Sequence, residues 1–421
     1  MTNSIYAQKA NNIDTGQLKI NINSASNYNP IQNATIQISF TGDPTNILES
    51  VSTDMSGQTE SLDLKAPPLE LSLAPQNMQP YSEYTLKISA KGFNEIVISG
   101  VEILPTITAI QNVLLEPTEV PEMSENQIVI PDHTLYGDYP PKIPEAEIKP
   151  MQESGEIVLR SVVIPEFVIV HDGVPTDTTA KDYYVRYKDY IKNVASSEIY
   201  ATWPESTIQA NVFAIMSFTL NRVFTEWYRN KGFNFTITSS TAFDHKFMPG
   251  RNIFDTISSV VDNIFTNFIS RPNVKQPILT QYCDGYRVTC SNWLSQWGSK
   301  DLGEQNYTPI DILRYYYGSD VFINTTEEVS GVPMSWPKTT LQIGTTGDNV
   351  KHIQEQLNAI AKSYPAIPTL STDGIFGLQT KAAVEKFQSV FGLPANGIVD
   401  YKTWYKISEI YVAVTRIAEL N

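Results

Sequence analysis

The chain has 421 residues, a length that predicts about three domains. Of these residues 41% are hydrophobic and 18% charged, a balance typical of a folded protein. Its formal net charge of −15 disfavours nucleic acid as a partner, because phosphate binding needs clustered Lys and Arg. Residues 1–150 contain no Arg and carry −11 of this charge, which predicts that different modules meet near residue 150.

The N-terminal residues are polar where a secretory signal needs a basic start followed by a continuous apolar run. We therefore expect no conventional signal peptide. No stretch approaches the roughly 20 apolar residues that cross a bilayer, so the sequence also predicts no membrane span.

Residues 1–117 have the alternation of β-strands. Apolar residues recur at every second position, as in Leu18, Ile20 and Ile22, and turn residues separate the runs. This pattern predicts an N-terminal β-sandwich. The hairpin signal of Asp54 and Gly57, with the later run that begins at Tyr84, resembles the carboxypeptidase-regulatory-like sandwich.

Residues 118–156 are rich in Pro and Glu. Such a composition cannot bury enough apolar surface to fold alone. We expect an extended, protease-accessible linker.

Residues 157–325 are expected to form a central α+β catalytic domain. Apolar residues recur at steps of three and four between Glu205 and Trp227, which predicts a long buried helix that begins after Pro204. Glu198 is then expected in the loop or strand end just before this helix.

Two blocks of this domain resemble the stage II sporulation protein D family of lytic transglycosylases. The matching positions of the first block are Glu198, Trp203, Pro204, Ala210, Ser217 and Phe218. Those of the second are Ser295, Gln296, Gly298, Gln305, Pro309, Ile312, Leu313, Tyr316, Tyr317 and Gly318. The resemblance implies that Glu198 is the catalytic acid. Cys290 stands where the family has His, so the resemblance carries over no metal.

A lytic transglycosylase can work with one carboxylate, which first donates a proton and then takes one back. The pKa of Glu198 is expected to be raised if Tyr200 and Trp203, candidate substrate-binding residues, surround it with apolar surface. Glu205 suits the first turn of the helix better than the role of a second carboxylate.

Three further residues are candidates for substrate binding. Ser295 and Gln296 could hydrogen-bond the acetamido groups of a glycan, although both residue types are common in surface turns. His245 lies where the family has a cleft-lining segment, although a lone His is more often structural.

Cys283 and Cys290 could form a disulfide, hold zinc with His245, or remain thiols. Free or loosely paired thiols are favoured in a reducing compartment. Zinc is disfavoured because it needs further ligands, and no cofactor is expected.

The region 339–412 carries the pattern of the common peptidoglycan-binding domain, a small three-helix bundle. Its marks are Gly344, Gly347, Val350, Leu357, Asp373, Gly374, Phe376, Gly377, Ala383, Val384, Phe387, Gln388, Gly392, Leu393, Gly397, Thr403 and Trp404. Phe376, Phe387 and Trp404 are expected to build the bundle core. The resemblance implies peptidoglycan as the partner.

The order of these modules resembles that of clostridial spore cortex-lytic enzymes. These are zymogens that a subtilisin-like protease activates at germination. The resemblance implies a protein made in the mother cell and located in the spore cortex region. The junction between the Pro-rich linker and the apolar run at residue 157 predicts a cut between about Lys149 and Arg160, unless the sandwich is a permanent adhesion domain. The alternatives are a muramidase hydrolase and a non-catalytic wall-binding amidase activator. A zinc amidase is disfavoured because the chain has only four His.

Overall fold

The computed structural model describes residues 14–118, 127–149, 161–290 and 292–415. Strands dominate the part before residue 130, helices dominate the part after residue 347, and the region between them is mixed. The chain is therefore multidomain, with the sheet-rich N-terminal region and the helical C-terminal region that the sequence predicts.

The N-terminal strands exist because apolar side chains alternate with polar ones, so that one face of each sheet is buried. Leu18, Ile20 and Ile22 of the first strand are fully buried. The strands are β1 (Asp14–Ser24), β2 (Thr35–Phe40), β3 (Asp43–Ser52), β4 (Leu62–Ala66), β5 (Ser82–Ser89), β6 (Ile96–Ile103), β7 (Thr108–Leu115) and β8 (Gln127–Val129). A 3-10 turn lies at Leu69–Ser72.

Two sheets share the core of this region. One has the order β4, β1, β7 and β12, where β12 (Ile253–Phe254) comes from the central region and pairs antiparallel with β7. The other has the order β3, β2, β5, β6 and β8, where β8 pairs parallel with β6. The N-terminal and central regions are thus joined through a common sheet.

The central region is built around a helix that is buried on almost all sides, α2 (Glu205–Phe224). The other helices are α1 (Tyr187–Glu198), α3 (Asp255–Ile264), α4 (Gln296–Glu304) and α5 (Pro309–Tyr317). The remaining strands are β9 (Phe167–His171), β10 (Asp182–Arg186), β11 (Ile237–Thr238), β13 (Asn267–Ser270), β14 (Tyr282–Cys283), β15 (Leu294–Ser295) and β16 (Phe322–Thr325), with a 3-10 turn at Arg229–Lys231.

The position of Glu198 differs from the prediction. It is the last residue of α1 and does not lie in a loop or strand end. The predicted long helix begins at Glu205 as expected and ends at Phe224, three residues before Trp227. The cap residue Thr225 closes α2 by donating its N–H to the carbonyl of Asn221.

The C-terminal region contains α6 (Asp348–Ser363), α7 (Leu378–Val390) and α8 (Tyr401–Thr415). Phe376, Phe387 and Trp404 are fully buried, which confirms their predicted place in the core. This region also packs on the rest of the chain, since Lys188 of α1 forms an ion pair of 2.5 Å with Glu409 of α8.

The prediction of an exposed linker is wrong for part of residues 127–149: Asp138, Pro144 and Ala146 are exposed, but other residues are buried. His133 is fully buried, Ile130 and Leu135 belong to the core, and Lys149 is 2% exposed. The reason is that residues of this stretch find partners in both neighbouring regions: His133 bonds the hydroxyl of Tyr81, and its ring centroid lies 4.5 Å from that of Tyr200. Residues 119–126 and 150–156 of the predicted linker lie outside the described residues.

None of the helices in the described ranges is long and apolar enough to cross a membrane.

Candidate active site

Glu198 is held in a fixed position at the end of α1. Its carboxylate oxygen Oε1 accepts a hydrogen bond of 2.6 Å from the backbone N–H of Lys246, and Oε2 accepts one from the hydroxyl of Tyr282. Its main-chain oxygen accepts a bond of 3.0 Å from the side-chain amide of Gln296. The residue is 2% exposed. The carboxyl group is therefore buried and oriented by two distant segments, while a third fixes the main chain of the residue.

Burial raises the pKa of Glu198, because a charged carboxylate is poorly solvated in the interior. The ammonium group of Lys142, the N–H of Lys246 and the hydroxyl of Tyr282 oppose this effect without cancelling it. A carboxyl group with a raised pKa keeps its proton at higher pH, which is what a general acid requires.

Tyr200 and Trp203 belong to an aromatic cluster next to this site. Both are buried, and Trp203 and Trp297 have ring centroids 5.0 Å apart. The indole N–H of Trp203 donates to the carbonyl of Ser72, 2.9 Å away in the N-terminal region. The pKa of Glu198 is raised as expected, but the side chains bonded to its carboxylate come from elsewhere. Substrate contact by Tyr200 and Trp203 stays a prediction.

His245 lies behind Tyr282 and is fully buried. Its ring stacks on that of Tyr282 with centroids 5.7 Å apart, and Nδ1 is 3.1 Å from the hydroxyl of Tyr190. Burial, aided by the charges of Lys142 and Arg222, holds the pKa of His245 well below its usual range. A neutral His245 thus supports Tyr282, and its predicted contact with substrate stays untested.

Ser295 and Gln296 both make structural hydrogen bonds. The hydroxyl of Ser295 accepts from the N–H of Gly298 at 2.9 Å and caps α4, a common role for Ser at a helix start. Gln296 anchors the main chain of Glu198, as described above. Their predicted binding of acetamido groups remains a prediction.

Asp244 is a second buried carboxylate in this neighbourhood. It accepts hydrogen bonds from Nε of Arg222 at 2.7 Å, from the hydroxyl of Tyr228 at 2.6 Å, and from both the N–H and the hydroxyl of Thr238 at 2.9 and 2.8 Å. Three of these bonds converge on Oδ2, and Oδ1 accepts the one from Arg222. Asp244 therefore orders the side chains of Arg222, Tyr228 and Thr238 around the site.

Glu205 occupies the first turn of α2, as predicted. It is exposed, and Oε1 accepts a hydrogen bond of 2.8 Å from the side chain of Gln209. Its surroundings are those of a solvated helix residue near the positive end of the helix dipole.

The favoured prediction of free or loosely paired thiols is wrong, because Cys283 and Cys290 form a disulfide. Their Cα atoms lie 5.7 Å apart, a separation that such a bond requires. With both sulfurs bonded to each other, neither is a ligand for zinc. Within the described parts of the chain, no group of three or more His, Cys, Asp or Glu is placed to hold a metal ion.

Sequence reasoning missed Tyr282, Lys246 and Lys142. Lys246 contributes a backbone N–H, which any residue except Pro could supply, so its identity carries no signal. Tyr282 precedes Cys283 and could have been noticed only through its place upstream of the second matching block. Lys142 stands in the stretch that composition assigned to a linker.

Comparison with known proteins identifies a match in the C-terminal region. Residues 346–407 match the family "Putative peptidoglycan binding domain". Over 72 residues the chain is 40% identical to the zinc D-Ala-D-Ala carboxypeptidase of Streptomyces albus G, a match that covers 17% of this chain and 27% of that protein. Over 63 residues it is 44% identical to an uncharacterized protein in the bpoA1 3' region of Kitasatospora aureofaciens, covering 15% and 49%. The chain thus spans less than half the length of either relative.

Among solved structures, the SleB N-terminal domain is similar at 30% sequence identity, with 18% of this chain and 97% of that chain covered and a TM-score of 0.16. The Bacillus anthracis TIE protein is similar at 18% identity, with 25% and 17% covered and a TM-score of 0.19. The family match spans α6, α7 and the first part of α8. Residues 346–407 are therefore similar to the family of putative peptidoglycan binding domains.

Proposed function

We propose that the chain is a peptidoglycan glycosidase, specifically a lytic transglycosylase that cleaves the β-1,4 bond between N-acetylmuramic acid and N-acetylglucosamine. The single observation that carries the proposal is the buried carboxyl of Glu198, held by Tyr282 and the N–H of Lys246 with a raised pKa. The peptidoglycan-binding module at residues 346–407 supports the choice of polymer.

In this reaction the protonated Glu198 donates its proton to the glycosidic oxygen as the bond to the anomeric carbon breaks. The C6 hydroxyl of the same muramic acid then bonds to that carbon, and the Glu198 carboxylate takes the hydroxyl proton. The products are a 1,6-anhydromuramyl end and a free N-acetylglucosamine hydroxyl. No water is consumed, and neither metal nor cofactor is needed.

The arrangement of carboxylates favours this route over hydrolysis. A hydrolase usually needs a second carboxylate as base or nucleophile. Asp244 is engaged by four hydrogen bonds from Arg222, Tyr228 and Thr238, and Glu205 is an exposed helix residue bonded to Gln209. Glu198 is buried and its pKa is raised, so it is proposed to serve as both acid and base.

The proposal extends to regulation and place. The order of modules supports a zymogen of the spore cortex, made in the mother cell and activated at germination by a subtilisin-like protease that cuts between about Lys149 and Arg160. The intervening residues 150–160 lie outside the described residues. Lys149 and Ser161 mark the described ends on either side.

The test uses the full chain with a specific protease site placed between residues 150 and 160, and compares glycan cleavage by the chain before and after cutting. Glu198→Gln should abolish glycan cleavage, because it removes the transferable proton and little volume, whereas Glu205→Gln should retain most activity. Mass spectrometry of digested cortex identifies the products. Anhydro ends support a transglycosylase, reducing ends would indicate a hydrolase, and no release would indicate a binding protein.

A further inference from the structure

The stretch of residues 133–149 begins with contacts beside the candidate active site. The N–H and the hydroxyl of Thr134 both donate to the carbonyl of Ser197 at 3.0 Å, and Nε2 of His133 is 3.4 Å from the carbonyl of Ile199. These two carbonyls belong to the neighbours of Glu198 in the chain. The stretch therefore contacts the main chain on both sides of the proposed acid.

Beyond this point, residues 143–149 run extended along the strip Gln276–Gln281. The side-chain amide of Gln281 bonds the carbonyl of Ile143 at 2.7 Å and the N–H of Glu145 at 2.8 Å. The N–H of Leu279 donates to the carbonyl of Glu147 at 2.9 Å.

Gln276 completes this docking by bonding both the N–H and the carbonyl of Lys149 at 3.0 Å. The bonded residues alternate along the segment, as they do in an extended peptide that docks by its backbone. The strip thus satisfies the backbone of a linear segment whose composition alone gave no reason to fold.

Two arginines hold the acidic side chains of the segment. Nη1 and Nη2 of Arg222 contact the carboxylate of Glu145 at 3.1 and 2.6 Å. Nε and Nη2 of Arg271 contact the carboxylate of Glu147, the latter at 2.8 Å. Both pairs are bidentate, the geometry that makes Arg selective for carboxylates. Burial tends to raise the pKa of Glu145, but Arg222 and Lys149 outweigh it and hold that pKa below its usual value.

Lys142, at the start of the segment, reaches the active site itself. Its ammonium group donates to the carbonyl of Asp244 and lies 4.5 Å from the centre of the Tyr282 ring, whose hydroxyl bonds Glu198. The positive charge favours the ionised form of Glu198, which cannot donate a proton. The segment thus places a cation near the acid and opposes its active protonation state.

We infer that the groove formed by Gln276–Gln281, Arg222 and Arg271 is a binding site for an extended acidic peptide, and that its occupant is residues 142–149 of this chain, acting as an autoinhibitory segment. The inhibitory role rests on the proposed function, whereas the occupancy of the groove does not. The segment blocks the approach to Glu198 until it leaves.

This site also explains why a cut after Lys149 would matter. A tethered ligand has an effective concentration in the millimolar range, which lets modest contacts keep it bound. Cutting between residues 150 and 160 removes the tether on one side of the segment. The bound segment then competes with substrate through its contacts and a single remaining tether.

The experiment compares the full wild-type chain with the double variant Glu145→Gln, Glu147→Gln, which keeps side-chain volume and removes both charges. A matched control, Glu49→Gln with Glu60→Gln, removes two exposed carboxylates of the N-terminal region. Hydrogen exchange at the backbone amides of Glu145 and Lys149 should rise by at least about 10-fold in the segment variant only. Unchanged protection would overturn the inference.

A second measurement supplies the ligand separately. A fluorescent synthetic peptide of residues 139–149 should bind the segment variant at least about 10-fold more tightly than the wild-type chain, whose groove is filled. The same peptide with Gln at both Glu positions should lose this preference. Equal binding of the acidic peptide to both chains would refute a filled groove.

Glycan cleavage distinguishes this inference from the proposed function. If the segment variant gains activity on soluble peptidoglycan fragments, both stand. If the peptide binds as expected and no cleavage appears even after the chain is cut, the groove is correctly assigned and the proposed glycosidase function fails.

Discussion

The hydroxyl of Tyr282 donates a hydrogen bond to Oε2 of Glu198, a residue 84 positions earlier in the chain. Tyr282 lies in the short strand β14, and His245 stacks on its other side. A donor fixed in this way holds one carboxylate oxygen in place, while the N–H of Lys246 fixes the other. The remaining freedom of the Glu198 carboxyl is therefore small, as positioned proton transfer requires.

Tyr282→Phe should lower glycan cleavage by roughly 10-fold, since a hydrogen bond to a charged group contributes about 1.5–3 kcal/mol and only part of this acts in the transition state. Tyr282 lowers the pKa of Glu198, so its loss should also move the alkaline limb of the pH–rate profile to higher pH. Measuring kcat/KM against pH tests both effects.

Tyr317→Phe is the matched control, because its buried hydroxyl donates to the carbonyl of Gln281 and makes no bond to Glu198. A purely structural role for Tyr282 would give both variants the same lowered rate with an unmoved limb.

The buried state of Glu198 predicts a dependence of stability on pH. Its raised pKa means that the folded chain binds this proton more tightly than the unfolded chain. The contribution to stability is present below the unfolded pKa of Glu and is lost as pH rises through the folded pKa. Lys142, Lys246, Tyr282 and Tyr190 face this carboxyl. Burial lowers the pKa of the two lysines and raises the pKa of the two tyrosines well above its usual range.

Glu198→Gln removes this titration, so the Tm of the variant relative to wild type should rise as pH increases from 4 to 8. Calorimetry across this range gives the difference directly. A difference that stays constant or shrinks with pH would mean that the carboxyl is solvated and unsuited to act as an acid.

The sequence predicts those features of the fold that depend on neighbouring residues in the chain. The helical spacing of apolar residues after Glu205 and the buried positions of Phe376, Phe387 and Trp404 follow from local pattern, because burial fixes both period and composition. Glu198 could be singled out through the motif around it.

The docking of residues 142–149 could not be predicted in this way. Its hydrogen bonds use the backbone, and its partners Gln276, Gln281, Arg222 and Arg271 are dispersed in the chain. A Pro- and Glu-rich stretch has the composition of a linker whether or not such a groove exists. The bond between Glu198 and Tyr282 is hidden for the same reason, since long-range pairing leaves no period in the sequence.

The disulfide between Cys283 and Cys290 closes a loop that contacts residues 134–137. Arg287 in this loop donates to the carbonyls of Thr134 and Gly137 at 2.6 and 2.5 Å. Replacing both Cys by Ser should destabilise the chain by about 2 kcal/mol, because the unfolded loop gains freedom.

Hydrogen exchange should then increase at residues 134–137 more than in the C-terminal helices. Reduction of the wild-type chain should reproduce the effect. If the double Ser variant keeps full protection against hydrogen exchange at residues 134–137, the disulfide loop does not restrain these residues.

A buried ion pair joins the N-terminal and central regions. Nη2 of Arg251 contacts Glu102 at 2.5 Å and Nη1 contacts it at 3.1 Å, with both side chains almost completely buried. Burial raises the pKa of Glu102 to about 7, although Arg251 opposes the shift. Arg251→Met should destabilise the chain by about 3 kcal/mol, because an unpaired buried charge is costly.

The loss of unfolding free energy should be larger at pH 8 than at pH 5. Removing Arg251 raises the pKa of Glu102 further, so the folded variant still holds this proton at pH 8, where the folded wild type has largely released it. The stability of the variant therefore continues to fall with pH after that of the wild type has levelled off. The double variant Arg251→Met, Glu102→Leu should recover most of the stability. Chemical unfolding at the two pH values tests the sign, and an equal loss at both would show that Glu102 does not titrate in this range.

The same contacts predict what happens when the chain is cut between residues 150 and 160. The N-terminal part pairs β7 with β12, buries Glu102 against Arg251, and accepts the indole N–H of Trp203 at the carbonyl of Ser72. These contacts do not depend on the peptide bond that is cut. The two pieces should therefore elute together in size-exclusion chromatography, and Arg251→Met should make them separate on dilution. Immediate separation of the wild-type pieces would show that the peptide tether, and not this interface, holds the N-terminal region in place. Joint elution together with a gain of glycan cleavage would place the inhibition in residues 142–149 and not in the folded N-terminal region.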